Sequence, residues 1–179
     1  MKARFTLCVL FALPSILLAQ GSPATAKATS AMAPFARLVG QWEGEARVTM
    51  VPGQPAQVVR QHEDIQLTNG GTVLKVVGTG RSTDPATNGN VIFEATATIW
   101  YDNALNKLRM IAKTAGSDSV EADIQVRPDT LIWGFPVQGG RIRFTIAYSN
   151  TDWHEVGHYI REGMPPIPTI EMRLKKVKE

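Results

Sequence analysis

From Trp42 onward, apolar and polar residues alternate with a period of two. Trp42, Gly44, Ala46, Val48 and Met50 share one face, opposite Glu43, Glu45, Arg47 and Thr49. The same alternation groups Leu131, Trp133 and Phe135. It groups Ile142, Phe144, Ile146 and Tyr148 opposite Arg141, Arg143 and Thr145, and Ile170, Met172 and Leu174 opposite Glu171, Arg173 and Lys175. An apolar face backed by a charged face suits antiparallel strands with water on one side. Turn signals punctuate these runs: Asn69-Gly70-Gly71, Asp84-Pro85 to Asn88-Gly89, Asp102-Asn103, Ala115 to Asp118, Arg127-Pro128-Asp129, Gln138-Gly139-Gly140, Ser149 to Asp152 and Gly163 to Pro168. The pattern predicts an all-β chain, a meander of about ten strands. With no long helices to cover it, such a meander best hides its edges by closing into a single up-and-down antiparallel β-barrel. A short N-terminal helix within Thr29–Leu38 is expected to plug one end.

The N-terminus has a different character. Residues 1–20 read as a secretory signal peptide, with Lys2 and Arg4 as the positive region, Phe5–Leu18 as the apolar stretch and small residues around Ala19 for cleavage. Ala24-Thr25-Ala26 offers a later cleavage site. The run is short for a membrane anchor and contains Pro14, so no membrane span is expected after cleavage. Cleavage also removes Cys8, the single cysteine, leaving neither disulfide nor thiol chemistry. The expected location is periplasmic or secreted. Residues 21–33 read as a flexible tether, and 34–179 as the barrel domain. Composition adds one exclusion. The formal charge of +3 includes Lys2 and Arg4; without them 17 basic residues face 16 acidic ones, and no basic footprint for nucleic acid remains.

The segment Phe35-Ala36-Arg37-Leu38-Val39-Gly40-Gln41-Trp42-Glu43-Gly44 resembles the opening of calycin-superfamily barrels: lipocalins, fatty-acid-binding proteins and nitrobindin-like proteins. These begin with a short helix and a G-x-W signature. Trp153-x-Glu155-x-Gly157, Glu171 to Lys175 and the Tyr101-Asp102 turn resemble a bacterial, often secreted, lipocalin-like family of unknown function. The resemblance covers roughly Phe35–Val177. It implies a barrel around a cavity, with Trp42 plugging the floor and a basic residue from the last strand over it, Arg173 being the candidate beside Lys175 and Lys176. Nitrobindin-like members hold haem through a late histidine, but neither His154 nor His158 aligns securely with it. The sequence requires no metal and no cofactor.

His154-Glu155-Val156-Gly157-His158 is a literal H-E-x-x-H. On a helix this spacing binds zinc, with the glutamate activating water. A zinc-dependent hydrolase is therefore one alternative reading. Against it stand Gly157 inside the helix, Arg161 and Met164 where the longer metalloprotease pattern needs Gly and His, and the loss of one strand from the barrel. On a strand the two histidines lie about 13 Å apart, too far to share an ion, and Glu155 points to the other face. A barrel-cavity isomerase or cyclase is the second alternative; Glu94, on a face with Thr96, Thr98 and Trp100, is its candidate inward carboxylate. Asp118, Glu121 and Asp123 read as a solvated face, as do Lys107 and Arg109.

The leading expectation is binding of a small apolar or amphipathic molecule in the barrel. The candidate lining is Trp42, Met50, Met110, Trp133, Phe135, Phe144, Tyr148 and Met172, with Tyr148 as polar handle. No catalytic residue is assigned, and the oligomeric state is left open.

Overall fold

The computed structural model describes residues 22–49 and 55–178. The leader and Met50 lie outside them. Ten strands follow the chain: β1 (Gly40–Val48), β2 (Gln57–Thr68), β3 (Val73–Ser82), β4 (Val91–Asp102), β5 (Lys107–Thr114), β6 (Val120–Arg127), β7 (Thr130–Val137), β8 (Gly140–Tyr148), β9 (Asp152–Ile160) and β10 (Ile167–Lys178). Each pairs antiparallel with its sequence neighbours, and β10 closes onto β1. The barrel is closed, and none of the described strands is left as an edge. From β2 to β10 the hairpin connections fall at the turn signals. Gly116 and Gly139 take φ of 78° and 77°, a region open to glycine but strained for other residues.

Alternation becomes inside and outside. Trp42, Ala46, Leu131, Ile146, Met172 and Leu174 are buried in one core, while Glu43, Glu45, Arg141 and Arg143 are exposed. At the closing seam Gly44 pairs with Leu174, and a Cβ on Gly44 would sit 2.0 Å from the Arg173 carbonyl oxygen. Only glycine permits that approach of β1 to β10. We expect Gly44→Ala to prevent normal closure, read as loss of the cooperative thermal transition; an unchanged melting curve would contradict this.

One end is sealed by the N-terminal segment. The residues expected to form a loose tether are instead helical over α1 (Pro23–Met32), followed by a 3₁₀ segment, Ala33–Leu38. The sequence contains the reason. Ser22 is the N-cap, its hydroxyl accepting from the Thr25 amide at 3.3 Å; Pro23 suits the first turn, and alanines fill the interior. Met32, Phe35 and Leu38 are at most 1% exposed and plug the barrel. Lys27 donates to Asn106, and Arg37 to the Pro128 carbonyl and Asp129, pinning the plug to the turns at this end. Among the described residues, no helix is long and apolar enough to cross a membrane.

Candidate functional site

Above the plug the barrel holds a cavity of about 670 Å³. Small molecules bind in cavities of roughly 300–1,000 Å³. Rim residues include Thr114, Ser117 and Asp118 beside the β5–β6 turn, placing the mouth opposite the plug. One wall is aromatic. Trp133 on β7 stacks on Phe144 of β8 with centroids 4.2 Å apart, and Phe135 lies 6.0 Å from Trp133. Gly157 on β9 makes room for this wall, since a Cβ there would stand 2.9 Å from Phe144 and 2.6 Å from Ile170. Met110, Ile146, Ile170 and Met172 complete much of the apolar surface.

The cavity also contains a polar group. Glu63 and Gln61 on β2, and Glu155 on β9, point inward and line it. Glu63 and Glu155 are only 7% and 8% exposed. Gln61 Nε2 donates to Glu63 Oε1 at 2.8 Å, and Trp153 Nε1 donates to Glu155 Oε2 at 3.3 Å. Burial pushes the Glu63 carboxyl up to about 7. Burial, followed by the nearby charge of Glu63, pushes Glu155 up to about 8. Both effects disfavour the ionised form, so at neutral pH the pair retains protons. Glycine positions the first member: Gly78 pairs with Glu63 across β2 and β3, and a Cβ on Gly78 would fall 2.6 Å from the carboxylate.

Met110, Trp133, Phe135, Phe144 and Met172, five of the eight candidate lining residues, do border the cavity. Trp42 does not. It lies beneath, wholly buried, edge-on to Trp153 at 5.9 Å, with Nε1 donating to the Leu38 carbonyl. Tyr148 does not border it either; its ring packs under the Arg37 guanidinium at the plug, 4.9 Å away. Glu94 is exposed on the outer face, since Phe93, Ala95 and Ala97 take the inward positions of β4. The carboxylates that do face inward, Glu63 and Glu155, come from two different strands.

The H-E-x-x-H segment is a strand, which removes the zinc-site reading. His154 faces outward to Glu171 at 3.1 Å; His158 is likewise on the outer face, and Glu155 is inside. His62 also alternates outward between Gln61 and Glu63. The described cavity lining thus contains no histidine, and axial haem ligation by an imidazole does not fit it. Glu121 and Asp123 pair with Arg109 and Lys107 outside the barrel.

No protein-family model matches the sequence, and no curated protein matches it significantly. Solved structures do match the architecture. Rv2717c from M. tuberculosis superimposes with a TM-score of 0.60 at 10% identity, over 87% of this chain and 98% of that one. An S-type phycobiliprotein lyase, CPES from Guillardia theta, gives 0.54 at 9% identity, over 87% and 97%. The chain shares with them the fold, a closed antiparallel β-barrel.

The barrel floor carries a basic side chain over Trp42, as expected, with one change of residue. The basic side chain over Trp42 is Lys176, not Arg173, which points outward to Glu171. Between Trp42 and Gln41 the β1–β10 register shifts, bringing Lys176 opposite Trp42. Lys176 Nζ lies 5.0 Å from the ring centroid and donates to the carbonyls of Arg37 and Val39 at 2.9 and 2.8 Å. Lys176→Met should therefore lower stability by about 1–2 kcal/mol, through orphaned carbonyls and a lost cation–π contact. Urea unfolding checks this, and an unchanged midpoint would make the contact incidental.

Proposed function

We propose that this chain is an exported binding protein that holds one small, mainly apolar molecule in its barrel, with the molecule's polar end toward the floor. The observation carrying this reading is the cavity of about 670 Å³, bordered by stacked aromatics and methionines and ending at Gln61, Glu63 and Glu155. Apolar contact supplies affinity in such a site, and a few polar groups fix orientation. Methionine and aromatic side chains suit an adaptable pocket. The strand geometry of β9 favours this reading over zinc-dependent hydrolysis.

An apolar fluorescent probe should bind with one saturable site and perturb tryptophan emission. Met110 is 3% exposed and borders the cavity. Met110→Trp should extend into open space, abolishing probe binding while leaving the unfolding midpoint nearly unchanged. Inserting bulk into a filled core instead costs about 1–3 kcal/mol. Absence of probe binding together with strong destabilisation would defeat the binding reading. Export rests on the charged and apolar leader. Intact mass of exported material should show a start near residue 20, or near 27 if the later site is used; retention of Met1–Leu18 would contradict it.

A further inference from the structure

The floor of the cavity has a charge character that apolar binding alone does not explain. Two carboxyl groups from strands that are not neighbours, β2 and β9, face one apolar chamber. Each uses one oxygen for a protein donor, Gln61 or Trp153, and the other, Glu63 Oε2 or Glu155 Oε1, has no protein partner among the described residues. Neither forms a salt bridge with a described cation. Buried acids are ordinarily paired or hydrogen-bonded on all sides, because an unpaired one is costly. Two side chains over nine-tenths buried, each with an oxygen left toward an open cavity, leave room for a donor that the protein does not supply.

We propose that the molecule bound here is a hydrophobic amine, whose protonated nitrogen sits at Glu63 and Glu155 while its apolar body lies against Trp133, Phe144 and Met110. The inference rests on the cavity-binding reading and adds the ligand's chemical class. A fatty acid is the poorer match, because its carboxylate is repelled by whichever of the two acids is ionised, and at pH 7.5 Glu63, raised to about 7, is mostly ionised. An alcohol satisfies one oxygen at most as a donor. An ammonium group brings up to three donors and a positive charge, which suits two acceptors from separate strands. Gly78 and Gly80 also fit this role. A side chain at Gly78 would displace the Glu63 carboxylate, and one at Gly80 would reach within 3.0 Å of Gln61 Oε1. Bare backbone on β3 is what lets both groups lie along the wall.

Binding would be coupled to protons. The free pair holds protons at neutral pH, and an arriving ammonium favours their loss to solvent. The other ionisable groups around the pair are distant in role. On β10, Lys176 is tied to the carbonyls of Arg37 and Val39 and lies over Trp42. On β8, Tyr148 packs beneath Arg37 of the plug. The inward positions of β1 and β3 carry no charge, and Lys113 and Asp118 stand at the rim.

The test compares n-decylamine, n-decanol and decanoate as displacers of the apolar probe, below their aggregation concentrations, on the purified protein. At pH 7.5 the amine should bind roughly ten-fold or more tighter than the alcohol, with decanoate weakest. Titration calorimetry in two buffers of different ionisation enthalpy should show release of about one proton with the amine and none with the alcohol. The amine-to-alcohol ratio should fall close to one in Glu63→Gln/Glu155→Gln, and partway in each single variant, which guards against a double variant that fails to fold. Equal affinities in the unaltered protein, a preference for decanoate, or an amine preference that survives the double replacement would overturn the proposal. If none of the three displaces the probe while the probe itself binds, the amine inference fails and the cavity reading stands. If the probe does not bind either, both fail.

Discussion

Replacing Glu155 with glutamine should make the protein more stable at pH 8.5 and leave it little changed at pH 5. The sign follows from proton linkage. An unfolded-state glutamate titrates near 4.5, whereas folding raises Glu63 to about 7 and Glu155 to about 8. Below pH 4.5 both states are protonated and the groups contribute nothing to the pH dependence. As pH rises from there, the unfolded chain ionises while the folded groups hold their protons, so stability falls, and the loss levels off above about 7 for Glu63 and about 8 for Glu155. At about 1.4 kcal/mol per unit, the full loss is on the order of 3–5 kcal/mol per group, reduced by relaxation around the coupled pair. Glu155→Gln should recover at least about 2 kcal/mol of this at pH 8.5, measured by urea unfolding. Parallel stability curves for the two proteins between pH 5 and 8.5 would show that the carboxyl is solvated in the folded state. A buried pair of acids that weakens the fold as pH rises is the kind of local cost that functional sites carry.

The second large effect is expected at the floor. Trp42 is wholly buried, meets Trp153 edge-on, supports Lys176 and caps the Leu38 carbonyl. Trp42→Ala should cost about 3–5 kcal/mol, as large-to-small aromatic replacements in cores do, with the orphaned Leu38 carbonyl adding to the cavity. Because Trp153 loses its neighbour, the indole that donates to Glu155 becomes free to move. The variant should therefore also weaken the amine preference. A loss below about 1 kcal/mol would mean that the plug, not Trp42, seals the barrel.

The barrel was legible because alternation and turn chemistry carry the same message along the whole chain. Ile142, Phe144 and Ile146 opposite Arg141, Arg143 and Thr145 specify a strand and its inner face together. Glycine and asparagine mark where each hairpin reverses. Other features depend on facts that the sequence pattern does not hold. Residues 23–32 are small and polar, as a tether would be; capping by Ser22 and burial of Met32 against the floor make them a helix. Glu94 and Glu63 are both acids within alternating strands, and only strand phase separates them. Gly78 and Gly80 opposite Glu63 and Gln61 were the available signal, small residues on the inner face of β3 that leave space for polar neighbours. Glu155 was visible as part of a metal-like motif, and its facing away from the histidines follows from strand geometry. Its relation to Glu63 required closure, since only pairing of β1 with β10 brings β9 within two strands of β2. Lys176 rather than Arg173 covers Trp42 because the β1–β10 register shifts beside Trp42, an irregularity that alternation cannot reveal.

The most direct measurement is an intermolecular nuclear Overhauser experiment with carbon-13-labelled decylamine on the unlabelled protein. The alkyl chain should show contacts to Trp133, Phe144, Met110 and Met172, which border the cavity, and none to Leu105 or Val177, which are 51% and 53% exposed elsewhere. Contacts confined to such outer residues would contradict a barrel that binds in its interior, and no contacts at millimolar ligand would overturn the amine inference.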